Sequence, residues 1–159
     1  QVKANSRALA SALMSKGYVL STGGTQNHLL LWDLRPNGLT GSKMQTICDS
    51  CGITLNKNTV PGDVSALTPG GVRIGSPALT TRGLKENDFQ QIAEFLHEVV
   101  LISLEIQKNM TGKTLNAFKE AVERSEEVRN LRIAVMRFIT QFPMPGFDVE
   151  TMKYKARDI

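Results

Sequence analysis

An α/β sandwich with a helical tail is the fold class this sequence predicts, and three observations carry it. Short apolar runs of strand length alternate in the first half of the chain with segments whose apolar residues recur at helical spacing. From about residue 86 onward the text reads as helices alone. The chain has 159 residues, 41% hydrophobic and 21% charged, enough to bury one sizeable core but hardly two. One domain over residues 1–159 is therefore expected, with an α/β part at 1–85, a helical part at 86–142 and a tail at 143–159.

Ala8, Leu9, Ala12 and Leu13 share one helical face, and Gly17 stands where a left-handed cap ends such a helix. Tyr18-Val19-Leu20 and His28-Leu29-Leu30-Leu31-Trp32 read as two strands, both largely buried, joined through the Thr22-Gly23-Gly24-Thr25 turn. After Arg35-Pro36-Asn37-Gly38, Ser42 and Gln45 have the spacing of a capping box. Met44, Ile47, Cys48 and Cys51 then follow at helical spacing until Gly52. Ile53-Thr54-Leu55 is a third strand candidate.

Residues 56–71 are polar and broken by Pro61, Gly62, Pro69, Gly70 and Gly71, which predicts a surface loop crossing an edge of the sheet, of a length that often binds something. Val72-Arg73-Ile74 is a very short strand, and Ser76-Pro77 can cap and begin one helical turn. Asn87 with Gln90 opens a long helix to about Asn109, bearing Phe89, Ile92, Ala93, Leu96, Val99 and Val100. A shorter helix around Leu115 to Val122 precedes a last one, capped by Ser125, with Glu126 and Glu127 in its first turn and Val128, Leu131, Val135, Phe138 and Ile139 as its stripe. Pro143 and Pro145 end it.

Composition excludes several classes. No apolar run approaches the roughly 18 residues of a membrane span, and nothing is disordered by composition. Two cysteines make no disulfide framework for a chain this size, which points to a reducing compartment. The start, Gln1-Val2-Lys3, lacks an initiator Met and a leader, so a processed product or a piece of a longer chain is expected, with the piece favoured. Residues 1–85 carry nine Lys/Arg against three Asp/Glu, while residues 86–159 carry ten against twelve, so an anion is expected at the basic half. Nucleic acid and a small carboxylate or phosphate substrate both fit that bias.

Cys48-Asp49-Ser50-Cys51 has the CxxC spacing of redox and zinc sites. With only two histidines in the chain no second ligand pair exists, so no metal is expected and the thiols read as core residues on the stripe of Met44 and Ile47. His97 reads as an ordinary helix-flank histidine; His28, opening a strand after a glycine turn, is less easily dismissed, yet no triad partner is identifiable. Gly23-Gly24 and Gly70-Gly71 lack a nucleotide-cradle context and read as tight turns. Arg73 differs, because strand alternation sets its side chain opposite to Val72 and Ile74. There it can hold a carboxylate through two parallel hydrogen bonds, a structural ion pair being the competing reading.

The stretches TGGTQNHLLLWDLRPNGLTG, GITLNKNTVPGD and GGVRIGSPALTTRG, with the ending FPMPGF, resemble the C-terminal third of serine hydroxymethyltransferase, in order and spacing over essentially the whole chain. The resemblance implies the small C-terminal domain of a fold-type I, aspartate aminotransferase-like enzyme, with a short, mostly antiparallel sheet, packed helices and a helical extension. It implies pyridoxal 5'-phosphate as cofactor, tetrahydrofolate as cosubstrate, and serine and glycine as substrates. The complete enzyme would be a homodimer or homotetramer, cytoplasmic or mitochondrial, off the membrane, with the large domain of the same chain as partner.

By the same resemblance, Arg73 of GGVRIGSP matches the arginine that binds the amino acid carboxylate. Asn58 of NKN matches the asparagine near the folate pterin, and Ser65, Ala66 and Leu67 align with the loop stretch bordering folate, where bacterial members read serine-proline-phenylalanine. The cofactor lysine belongs to a TTTHK motif that this sequence lacks, so none of Lys3, Lys16, Lys43 or Lys57 takes that role, no catalytic residue is expected here, and the chain alone is expected to be inactive. Two rival readings remain. A basic RNA-binding or interaction module would suit the pI near 9.2 but finds no aromatic-basic interleaving. The small domain of another aminotransferase-like enzyme would share the arginine but has no reason for NKNTVPGD.

Overall fold

Leu20, Leu30, Trp32 and Val72 project from one side of a four-stranded sheet and are at most 4% exposed. The computed structural model describes residues 1–148 and Thr151. Its elements are α1 (Val2–Ser15), β1 (Val19–Leu20), β2 (Leu29–Asp33), α2 (Gly41–Ser50), β3 (Asn56–Asn58), β4 (Gly71–Gly75), α3 (Pro77–Thr81), α4 (Glu86–Asn109), α5 (Leu115–Arg124) and α6 (Glu126–Ile139). The sheet order is β1-β2-β4-β3 with every neighbouring pair antiparallel. Helices α1 and α2 lie against the sheet, α4 packs across both, and α5 and α6 pack on α2 and α4.

Local chemistry accounts for most boundaries. Gly17 takes φ 85°, and its N–H bonds the Met14 carbonyl at 2.9 Å, ending α1 as expected. Ser125 Oγ accepts the Val128 N–H at 3.2 Å, and Glu126 and Glu127 occupy the first turn of α6, where the helix dipole favours negative charge. Met44, Ile47, Cys48 and Cys51 are all fully buried, and so are Ala93, Leu96 and Val99 of α4.

Several expectations are corrected. The two apolar runs of β1 and β2 are not buried throughout: Val19 is 45% exposed and Leu29 and Leu31 are half-buried, because alternation sends them to the side away from the helices. Helix α2 is capped by Thr40, whose Oγ1 accepts the Lys43 N–H at 3.3 Å, so Ser42 and Gln45 form no capping box. Helix α4 begins before Asn87, with the Asp88 carboxylate accepting the Lys85 N–H at 2.8 Å.

Ile53-Thr54-Leu55 is no strand. Leu55 is spent in the core, at 4% exposure, and the pairing segment is the polar Asn56-Lys57-Asn58 beyond it. An edge strand needs ladder hydrogen bonds and no continuous apolar run, so the expected loop is shorter at its start by those three residues. Ser76 precedes α3 without capping it; its hydroxyl donates to the Val2 carbonyl at 2.7 Å and ties the start of α1 to the end of β4. At the end of α6 and just beyond it, the Arg82 guanidinium donates to the carbonyls of Ile139, Phe142 and Pro143 at 2.8–3.1 Å. Of the expected tail, residues 149–150 and 152–159 lie outside the described residues.

Candidate functional site

Cross-strand partners in a sheet share a face, so the register determines what the outer face presents. Leu31 pairs with Arg73, Asp33 with Gly71, Asn56 with Arg73 and Asn58 with Gly71. Leu31, Asp33, Asn56, Asn58, Gly71 and Arg73 therefore stand together on the side turned away from α1 and α2. Arg73 is exposed and makes no hydrogen bond or ion pair among the described residues, so the competing structural pair finds no partner there. Asn58, half-buried, donates through Nδ2 to the Thr59 carbonyl at 2.7 Å, and its Oδ1 accepts no hydrogen bond among the described residues.

The loop after Asn58 is free at its tip and tied at its roots. Val64 and Leu67 are 103% and 86% exposed, Ser65 and Ala66 are exposed, and Ser65 Oγ accepts the Leu67 N–H at 3.2 Å. At the roots, Asp63 Oδ2 accepts the N–H of Val60 at 3.0 Å and of Gly70 at 2.8 Å, closing the loop through one oxygen atom. Arg35 adds a fork: Nε and Nη2 donate to the two oxygens of Asp33 at 3.0 and 2.6 Å, Nη2 also to the Pro61 carbonyl at 2.9 Å, and Nη1 to Asp63 Oδ1 at 3.3 Å. Arg35 holds the Asp33 carboxyl below the usual carboxylate range, and the two backbone N–H groups do the same for Asp63.

Residue types alone did not single out this cluster. An acid closing the apolar run Leu29-Leu30-Leu31-Trp32 and an arginine two residues on were the available signal; the distant Asp63 had none. Gly70-Gly71 is likewise no tight turn, for neither residue has positive φ. Each is a close approach. A Cβ on Gly70 would stand 2.6 Å from Asp63 Oδ1 and 2.7 Å from Arg35 Cδ, and one on Gly71 would stand 2.4 Å from the Trp32 carbonyl oxygen. Val60, 4% exposed, fills the notch above Gly71, with Cγ1 at 2.5 Å from that Cβ position. Gly23-Gly24 is a turn as expected, with φ of 66° and 140°.

The remaining candidates separate by environment. Burial raises the Cys51 thiol to about 11 and pushes the Cys48 thiol up as well, and no group of three metal-ligating side chains exists among the described residues. His97 is more than a flank residue, since its Nδ1 lies 2.6 Å from the hydroxyl of Tyr18, whose ring lies tilted against Trp32 with centroids 4.7 Å apart. His28 is exposed, and its carbonyl accepts the Ser76 N–H at 2.9 Å.

Pyridoxal phosphate requires a lysine for its covalent bond. None of Lys3, Lys16, Lys43 and Lys57 stands on the outer face. Lys43 is bonded to Gln107 and lies 5.4 Å over the Phe118 ring on the helical side, Lys16 pairs with Glu94 at 2.7 Å, Lys3 belongs to α1, and Lys57 shares a face with Val72. These four lysines do not fit the anchor of that cofactor.

The family model of serine hydroxymethyltransferase matches residues 1–96, from α1 through the outer face and its loop into α4. The chain belongs to the serine hydroxymethyltransferase family. Serine hydroxymethyltransferase 4 of Arabidopsis thaliana is 56% identical over 155 residues, covering 98% of this chain and 33% of that protein. The cytosolic serine hydroxymethyltransferase of Oryctolagus cuniculus is 47% identical over 151 residues, 92% of this chain and 31% of its own length. That of Caenorhabditis elegans is 47% identical over 150 residues, 92% and 29%. The chain thus spans about a third of the length of the curated relatives it matches. Membership in the serine hydroxymethyltransferase family brings the fold-type I class, in which a small α/β unit with an antiparallel sheet is a partial domain of a larger enzyme. No described helix is long and apolar enough to cross a membrane.

Proposed function

We propose that this chain is the C-terminal domain, residues 1–159, of a pyridoxal-phosphate-dependent enzyme that interconverts serine and glycine and passes the one-carbon unit to tetrahydrofolate. The observation that carries the reading is Arg73: an exposed guanidinium on a strand, unpaired among the described residues, on the same face as Asn58 and beside a tied loop. A planar fork on a strand suits two parallel hydrogen bonds to an amino acid carboxylate, which would orient the substrate's reacting bonds toward a cofactor held elsewhere in the enzyme. Asn58 and the exposed tip at Ser65, Ala66 and Leu67 would meet the folate. Pyridoxal phosphate supplies the electron-sink chemistry when bound, and its anchor belongs to the large domain. The partners are that domain and a further copy of the enzyme, in a homodimer or homotetramer. The two reduced, buried thiols suit the cytoplasm or the mitochondrial matrix.

Charge-assisted hydrogen bonds are worth about 1.5–3 kcal/mol each. In the complete enzyme Arg73→Ala should therefore lower serine kcat/KM at least about a hundredfold, each 1.4 kcal/mol being tenfold. Arg73→Lys should restore little, because an ammonium cannot reproduce the fork. The melting temperature of the 159-residue chain should not move, since Arg73 bonds none of the described residues. Near-normal serine kinetics together with a destabilised chain would overturn the assignment.

A further inference from the structure

We propose that Asp63, held by Arg35, is a positioning residue that sets the loop of residues 59–70 for the folate cosubstrate; this rests on the reading of that loop as the folate-bordering segment. The loop has two regions of opposite character. Its tip, from Val64 to Thr68, is exposed and Val64 and Leu67 present bare apolar side chains there. Such groups gain by meeting an apolar or aromatic surface, yet a loop that wanders loses that gain in ordering entropy.

Its roots remove the wandering. Asp63 Oδ2 accepts from Val60 and Gly70 at once, so residues at the two ends of the loop are bridged by one carboxylate that itself lies near the middle of the segment. The side chain of Asp63 is 8% exposed, and Arg35 reaches it from the end of β2 while remaining forked onto Asp33. Independent backbone bonds fix the second root between the end of β2 and the start of α2: Leu34 N–H to the Gly70 carbonyl at 2.9 Å, and Gly41 N–H to the Pro69 carbonyl at 2.7 Å. The chain of contacts thus runs from Asp33, on the outer face with Arg73 and Asn58, through Arg35 to Asp63 and the loop. Gly70 belongs to the device, because any side chain there would stand where Asp63 and Arg35 meet.

A staple that only braced the fold would act on everything alike. A positioning role predicts a split, read in the complete enzyme with Asp63→Ala and Asp63→Asn. Hydrogen exchange should accelerate in peptides covering residues 59–70 and nowhere else. The KM for tetrahydrofolate should rise about tenfold or more in Asp63→Ala, as expected when a binding group is displaced by an ångström or so. The KM for serine and the folate-independent cleavage of 3-hydroxy amino acids should stay within about twofold. Asp63→Asn keeps an oxygen for the two N–H groups but loses the charge facing Arg35, so it should fall between parent and Asp63→Ala on both readouts. It also carries the test alone if Asp63→Ala does not fold.

Parallel loss of both reactions with a lowered melting temperature would overturn the proposal in favour of a structural staple. Unchanged exchange in 59–70, or faster exchange with an unchanged tetrahydrofolate KM, would overturn it too. A parent enzyme with no dependence on tetrahydrofolate would instead overturn the reading of the loop, and the proposal with it.

Discussion

Arg73 and Asn58 stand on the same face of the sheet, two residues apart along the β3–β4 ladder, because Arg73 pairs with Asn56 and Asn58 pairs with Gly71. Gly71, lacking a side chain, leaves the space between Asn58 and Asp33 to Val60. A group fixed by Arg73 and another met by Asn58 would approach the molecule from one direction.

On the proposed reading, Asn58 should separate folate-dependent from folate-independent turnover in the complete enzyme. Asn58→Ala should weaken folate-dependent turnover about two- to tenfold, as one lost hydrogen bond of about 0.5–1.5 kcal/mol implies. Folate-independent cleavage of 3-hydroxy amino acids should be spared. Equal loss in both steady-state assays would assign Asn58 to the fold.

Gly71→Ala should destabilise the chain. Its Cβ would press on the Trp32 carbonyl oxygen and Val60 Cγ1, and overpacking of this kind costs about 1–3 kcal/mol, or about 2–12 °C in melting temperature for a domain this size. Gly75→Ala is the control, with its nearest neighbour 3.6 Å from the new Cβ and no positive φ. It should melt within about 1–2 °C of the parent. Calorimetric scans of both variants decide the matter, and equal melting temperatures would count against the close approach.

The loop staple has a definite pH window. Asp63 and Asp33 both titrate below their ordinary value in the folded chain. Their contribution is fully present above the unfolded carboxylate pKa of about 3.9 and is lost as pH falls through the lower folded value. The stability difference between parent and Asp63→Asn should hence be flat from neutral pH down to about 5 and shrink below about 4. Denaturant titrations from pH 3 to 7 would expose the opposite trend, a difference that grows on acidification.

Neither cysteine should react in the native chain. With Cys51 at about 11 and Cys48 buried completely, a negligible fraction is thiolate at neutral pH. Iodoacetamide at pH 7.5 should leave both unmodified over an hour and label both in denaturant, as read by intact mass. Rapid native labelling of either thiol would revive a redox role for the CxxC spacing.

What the sequence determined by itself follows from rules that act over a few residues. Gly17 closes α1 and Ser125 opens α6 because capping needs a neighbour's N–H or carbonyl and nothing farther away. The buried stripe of Met44, Ile47, Cys48 and Cys51 is legible for the same reason, since helical period alone brings those side chains to one face. Arg73 was legible as the residue opposite Val72 and Ile74, and the motifs around it carried the family. Tertiary structure alone decided the rest. Asn56-Lys57-Asn58 became an edge strand because Gly71-Val72-Arg73 offered it a ladder, which no local propensity encodes. Asp63 met Arg35 across 28 positions, and Gly70 and Gly71 proved to be close approaches, because only the folded chain brings Val60, Trp32 and Arg35 against them. Pairing and packing between distant residues depend on the whole backbone path, and composition and period carry no record of it.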